Sequence, residues 1–366
     1  MQIAQISPLH ESIPPRRYGG TERVVHYLTE ELVRRGHGVV LFASGDSQTS
    51  AELYPCVPEA LRLAGYSGDP TVPELIQLDQ LMEEIDRFDV LHFHTGASHY
   101  PLARQLPVPH LNTLHGPLSN PGRAQLFQRF HQLPLVSISE AQRQPLPEAH
   151  WLGTVYHGLP LDLYQPVREP DEYLAFVGRI SPEKRLDRAI AIASQLGLPL
   201  RVAAKIDSSD QGYYRNSVAP LIEGNPLVEF VGEVDDAGKQ ELLGNALALL
   251  FPIDWAEPFG LVMIEANACG TPVIAWRNGS TPEIIRPGLN GVLVDTIAEA
   301  VAAVRQLERL DRQAIRRDFE LRFSVTRQAD EYEQLYEHLA ETRGIAESRR
   351  PLHRPCPPLD PLLHAA

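Results

Sequence analysis

Two glutamates bracket a turn in the stretch Glu257-Pro258-Phe259-Gly260-Leu261-Val262-Met263-Ile264-Glu265. A carboxylate in a loop and a second in the helix after it can accept hydrogen bonds from the hydroxyls of a polar ligand. Two cations, Arg179 and Lys184, stand close together in Val177-Gly178-Arg179-Ile180-Ser181-Pro182-Glu183-Lys184. Arginine offers phosphate oxygens a planar fork and lysine a point charge. His115 follows an apolar run in Thr113-Leu114-His115-Gly116. These residue types suit the electrostatic handling of a phosphorylated sugar. No Asp-x-Asp pair that could hold a divalent metal occurs. His92 and His94 alternate on a strand and so share a face, but they lack a third ligand. No metal site is expected, and one of these two histidines is expected to line the ligand cleft.

The elements that must position these groups follow from the same stretches. Leu247 to Phe251 is a continuous apolar run, a buried strand. Pro252 and Pro258 break the chain, a helix opens at about Gly260, and Gly270 and Pro272 end it before the strand Val273 to Ala275. The loop then lies at the carboxyl end of a parallel strand, where open α/β sheets bind ligands. The first turn of its helix adds unpaired N–H groups. Ser181 as N-cap and Pro182 at the first position predict a helix with Lys184 in its first turn. A cation is unfavourable there unless an anion sits nearby. Ser139 and Gln142 predict a capping box. Gly19-Gly20 opens the first long helix and permits close backbone approach.

Strand-like runs at 2–6, 39–43, 90–93, 110–114 and 135–138, then at 174–177, 200–203, 228–231, 247–251, 273–275 and 291–294, alternate with helical patterns. That is a doubly wound parallel sheet twice over. The boundary falls in the proline-marked segment 159–166, giving domains 1–160 and 161–324. A last helix, 325–342, carries Tyr332, Leu335, Tyr336 and Leu339 on one face. Residues 345–366 include a proline-dense run and are expected to be a disordered tail.

The chain has 366 residues, 43% of them apolar, a formal net charge of −14 and three cysteines. The acidic balance and the lack of a basic run exclude a nucleic-acid binder. The few, scattered cysteines fit a reducing compartment. No apolar leader follows Met1, and no run approaches the roughly 20 apolar residues of a membrane helix. A cytoplasmic protein is expected, with surface contact to a membrane left open.

Glu257 and Glu265 around Phe259-Gly260-Leu261 resemble the paired-glutamate signature of retaining GT-B glycosyltransferases of family four. The Gly-rich loop, His115, Arg179-to-Lys184 and Gly279-Ser280-Thr281-Pro282-Glu283 fit the same pattern. The resemblance implies two Rossmann-like domains facing a cleft, the first on the acceptor side and the second on the donor side. The closing helix should cross back to the first. It also implies roles. Glu257 contacts the donor sugar and Glu265 the ribose, while the Phe259, Gly260 and Leu261 backbone meets sugar and phosphate. Arg179 and Lys184 grip the diphosphate. His115 points at sugar and acceptor, Gly19 and Gly20 face the phosphates, and Val231 belongs to the loop holding the nucleobase.

The implied reaction moves a hexose, with retention, from a nucleotide-diphosphate sugar to a hydroxyl of a sugar, lipid or small-molecule acceptor. UDP is preferred to GDP, and no metal or cofactor is needed beyond the nucleotide sugar as co-substrate. The chain departs from the pattern at Arg185 and Ser280, where glycines are usual, and at His157-Gly158, where Asn-Gly is common. An epimerase or a pyridoxal-dependent phosphorylase on the same fold, or a silent nucleotide-sugar-binding protein, are the alternatives.

Overall fold

The computed structural model describes residues 1–16 and 19–347. The proline-dense run 350–358 lies outside the described residues, as do Arg17 and Tyr18.

Thirteen strands form two all-parallel sheets among the described residues. The first holds β1 (Gln2–Ile6), β2 (Gly38–Ser44), β3 (Glu52–Val57), β4 (Val90–Phe93), β5 (His110–Thr113), β6 (Leu135–Ser137) and β7 (Trp151–Thr154), in the order β3-β2-β1-β4-β5-β6-β7. The second holds β8 (Leu174–Arg179), β9 (Leu200–Lys205), β10 (Val228–Gly232), β11 (Ala248–Phe251), β12 (Val273–Trp276) and β13 (Gly291–Val294), in the order β10-β9-β8-β11-β12-β13. Each sheet reverses its winding once, between β1 and β4 and between β8 and β11, and such points open a crevice beyond the strand ends.

β3 and β7 have no counterpart in the sequence reading. Both are edge strands, mostly half-buried or exposed, and they contain Pro55 and Gly153. They lack the continuous apolar run of a strand covered on both faces. The central strands have it. Ile3, Val39 and Val90 enter one core, while their neighbours Ala4, Val40 and Leu91 enter the other. Successive side chains point to opposite faces, and both faces are covered.

One cover is the closing helix, which runs Val325–Glu347 and not only to residue 342. Gly344 lies within it, since a single glycine costs a helix only about 1 kcal/mol relative to alanine. Its Tyr332 and Tyr336 are buried with Ile3, Leu28 and Val90, and Leu335 and Leu339 pack against them. Arg35 and His37 of the first domain bind its Asp330 and Glu333, each at 2.7 Å. The chain thus crosses between domains twice, and the two crossings touch. The Leu159 N–H donates to the Phe323 carbonyl at 2.8 Å, and the Val325 N–H donates to the Leu159 carbonyl at 2.9 Å. A Cβ at Gly158 would strike the Ser324 backbone, so only glycine allows this approach.

Candidate active site

The crevices of the two sheets face each other across a cleft of about 510 Å³. Arg179 is the last residue of β8, and Lys184 follows in a short 3₁₀ turn, Pro182–Lys184. That turn replaces the predicted helix start. Arg185 adopts a left-handed conformation (φ 54°) and breaks the chain, so the α-helix begins only at Leu186. The glycine usual at this position is now explained, because left-handed backbone is unfavourable for a residue with a Cβ. Arg185 holds the strained turn with ion pairs to Asp187 and Asp254, both at 2.8 Å. Ser181 does not cap a helix. Its hydroxyl donates to Glu183 at 2.7 Å. Lys184 therefore precedes the α-helix rather than lying in its first turn, and its partner is a carboxylate. Its Nζ lies 2.5 Å from Glu257 Oε2, 5.6 Å from the Phe251 ring centre and 5.1 Å from that of Trp255.

Glu257 is nearly buried, and Trp255 Nε1 donates to the same Oε2 at 2.9 Å. Oε1 accepts no hydrogen bond from the described residues. The turn behind it is built to close tolerance. A Cβ at Gly279 (φ 56°) would run into the Glu257 backbone. The Ser280 N–H donates to the Glu257 carbonyl at 3.0 Å, and its hydroxyl donates to the Phe259 carbonyl at 2.7 Å. Ser280 thus ties the turn with a bond that a glycine could not make. Gly260 (φ 83°) precedes the helix Leu261–Ala268, in which Glu265 is buried and pairs with Lys239 at 2.6 Å. Arg179 pairs with Glu183 at 2.7 Å and Asp210 at 3.4 Å. Arg179, Lys184, Glu257, Phe259, Gly260, Leu261 and Glu265 all line the cleft.

From the first domain, Gly19, Gly20, Glu22 and Arg23 line the opposite wall at the start of the helix Gly20–Arg34. Arg23 bridges the domains by binding Asp236 at 2.5 Å. Burial pushes the Glu22 carboxyl up to about 7, with the nearby Glu11 adding to the rise. His115 also lines the wall, and burial pushes its imidazole down to about 3, so it is neutral. Gln142 holds the His115 loop, donating to the Leu114 carbonyl at 2.7 Å and the Gly116 carbonyl at 2.9 Å. Ser139 caps the helix Glu140–Arg143 as expected, accepting from the Gln142 N–H at 3.0 Å. The Gln142 side chain takes the Ile138 N–H at 2.9 Å, one residue short of a closed capping box. The second domain's Glu283 accepts from the Glu140 and Ala141 N–H groups at 2.8 and 2.7 Å, tying the two domains together.

Two expectations are corrected. Val231 does not line the cleft. It lies on the edge strand β10, where Val228 and Phe230 turn inward, and it is 40% exposed. Glu233 and Val234, past the left-handed Gly232, reach the cleft in its place. Neither His92 nor His94 lines the cleft; both are buried behind it. No three-residue cluster of metal-ligating side chains occurs among the described residues.

The profile of the glycosyl transferases group 1 matches residues 165–320, and that of glycosyltransferase family 4 matches residues 18–146. Together they span both walls of the cleft. The chain belongs to the group 1 glycosyl transferases. This transferase is 26% identical to a glycogen synthase of Mycobacterium tuberculosis over 90% of its own length and 93% of that protein's. It is 25% identical to a D-inositol 3-phosphate glycosyltransferase of Mycolicibacterium smegmatis over 76% and 75% of the two chains. Among solved structures it superposes on AviGT4, a glycosyltransferase involved in avilamycin A biosynthesis, with a TM-score of 0.71 at 25% identity, covering 93% and 98% of the chains. It shares the fold of Anabaena Alr3699/HepE, solved in complex with UDP and glucose, with a TM-score of 0.72 at 18% identity, covering 92% and 100%. The transferase is a GT-B protein, with two Rossmann-like α/β domains.

Sequence reasoning missed several site residues of this transferase. Lys239 and Trp255 are the partners of the two glutamates, and Asp236 is the partner of Arg23. Nothing in their local sequence marks them. Lys239 is one exposed-looking lysine in the helix Asp236–Gly244, and only the fold brings it to Glu265.

Proposed function

We propose that this transferase moves a hexose from a nucleoside-diphosphate sugar, UDP-linked in preference to GDP-linked, to an acceptor hydroxyl with retention of configuration. The acceptor is a sugar, a lipid or a small molecule. The observation that carries the reading is the convergence of Arg179, Lys184 and the Gly260 helix start on one wall, with Glu257 bound to Lys184. As the sugar–phosphate bond breaks, the diphosphate gains negative charge, and preorganised cations and amides stabilise it. Glu257 keeps Oε1 for a sugar hydroxyl while Oε2 holds Lys184, so the same pair touches both products of bond cleavage. Glu265, steadied by Lys239, takes the ribose. No metal or further cofactor is assigned, because side-chain cations supply the leaving-group charge. The complexes of the Anabaena neighbour with UDP and UDP-glucose are the precedent for the donor. The buried free thiols of Cys56 and Cys269 fit a cytoplasmic setting. Among the described residues no helix is long and apolar enough to cross a membrane.

A panel of nucleotide sugars tests this by thermal stabilisation and by release of nucleoside diphosphate. A donor that binds the native state raises the melting temperature. UDP-sugars should stabilise most and should release UDP with a suitable acceptor. If no nucleotide sugar stabilises the protein or is consumed, the reading fails.

A further inference from the structure

Behind the cleft, seven polar side chains form one continuous hydrogen-bonded chain that the proposed chemistry does not use. It begins on the closing helix, where Tyr332 Oη meets Thr113 Oγ1 at 2.8 Å. Thr113 Oγ1 meets His92 Nε2 at 2.7 Å, and His92 Nδ1 meets Tyr336 Oη at 2.7 Å. Gln5 then joins the two halves. Its amide nitrogen donates to Tyr336 Oη at 3.3 Å, and its carbonyl oxygen faces His94 Nε2 at 2.7 Å. His94 Nδ1 meets His115 Nε2 at 2.9 Å. The chain ends at His115 Nδ1, a buried atom with no hydrogen-bond partner among the described residues, on a ring that lines the cleft.

Gln5 sets the direction of this last half. An amide oxygen only accepts, so His94 Nε2 carries the proton and His94 Nδ1 is a lone pair. That lone pair accepts from His115 Nε2–H. His115 Nδ1 is then left unprotonated. Burial keeps His92, His94 and His115 uncharged, so none of the three rings escapes the choice by taking a second proton. We propose that Gln5 and His94 are positioning residues that lock His115 in its Nε2–H tautomer, so that Nδ1 offers the cleft a hydrogen-bond acceptor for a substrate hydroxyl. The substrate part rests on the proposed glycosyl transfer; the tautomer does not. A ligand with a hydroxyl at this point satisfies a buried lone pair. A deoxy or O-methyl analogue leaves it unpaired, and sites built around such a contact discriminate strongly.

Long-range proton–nitrogen NMR on the full chain, labelled with ¹⁵N-histidine, reads the tautomer directly. The His115 signals are assigned by their loss in His115→Gln. The expected spectrum has a protonated Nε2 and an unprotonated Nδ1 on His115, unchanged between about pH 6 and pH 8. Gln5→Leu should turn His115 into a mixture of tautomers. It should also lower kcat/KM about ten-fold, the scale of one neutral hydrogen bond, with UDP binding intact. A protonated Nδ1 in the unaltered protein overturns the proposal, as does an unchanged tautomer in a folded Gln5→Leu variant. If that variant does not fold, the spectrum of the unaltered protein still decides. If no transfer activity is found, the tautomer result stands apart from the failure of the proposed reaction.

Discussion

Replacing Lys184 with methionine should separate its structural work from its chemical work. The side chains of Lys184 and Glu257 are 18% and 11% exposed, and their charged atoms are 2.5 Å apart. Breaking a fully buried ion pair by removing one partner costs about 3–5 kcal/mol, because the other charge stays buried alone. These two groups reach water through the cleft, and Trp255 Nε1 still donates to Glu257 after the change. The expected loss is therefore smaller, about 2 kcal/mol, or a fall of roughly 4–8 °C in melting temperature. Methionine keeps the apolar contact with Phe251 and Trp255. Glu257→Gln in the same protein removes the stranded charge, so the double variant should recover most of the stability. It should not recover turnover. Each single variant and the double should lose transfer by roughly 30- to 1000-fold, the effect of about 2–4 kcal/mol of lost transition-state stabilisation. The assays are a melting curve and the initial rate of nucleoside diphosphate release. A Lys184→Met variant with near-normal rate, or a double variant that regains rate along with stability, would refute the assignment of this pair to the departing diphosphate and the sugar.

Glu265→Gln and Lys239→Ala should each weaken UDP binding by calorimetry more than they lower kcat, since a ribose contact acts in ground and transition state alike; Glu257→Gln should do the reverse, and an exchange of these effects would reverse the two roles. Transfer should persist in excess EDTA, and a loss restored by magnesium or manganese would sink the all-side-chain account of the leaving group. Burial pushes His99 and His115 down to about 3 and His110 to about 4. Above about pH 6.5 these are neutral folded or unfolded, but below it only the unfolded chain takes the protons, so stability should fall by about 1.4 kcal/mol per pH unit for each; a melting temperature flat from pH 6.5 to pH 5 would contradict their burial as neutral rings. Glu22 behaves oppositely, since its raised folded value lets the native state hold a proton the unfolded chain has lost, and stability drains as pH rises from about 4.5 to about 7. Glu22→Gln should therefore raise the melting temperature at pH 8 and leave it unchanged near pH 4, and the reverse pattern would show that the carboxyl is not held protonated.

The central strands and the ends of their loops were legible because their causes are local. An apolar run bounded by proline and glycine announces a buried parallel strand and its stop; Arg179 sits at such a stop, Lys184 and Glu257 in the segments that follow one, and Glu265 in the next helix. The edge strands β3 and β7 escaped notice because a half-exposed strand with Pro55 or Gly153 has no such run. The predicted helix start at Ser181 failed for a related reason. A serine and a proline fix only a preference, and a left-handed Arg185, held by Asp187 and Asp254, overrode it.

What the chain alone determined about this protein is its inventory of chemistry and the order of its elements: two doubly wound sheets, paired glutamates, two cations and a histidine at strand ends. The tertiary structure decided who meets whom. Lys184 and Glu257 are 73 positions apart, and Gln5 and His94 are 89 apart. Alternation told that His92 and His94 face the same way. It did not tell that this face packs against the closing helix and meets the cleft only through His115. Side-chain period is a property of the backbone, readable residue by residue. The facing of a strand, the partner of a charge and the tautomer of a buried ring depend on what distant segments place against it, and only close packing of the whole chain settles that.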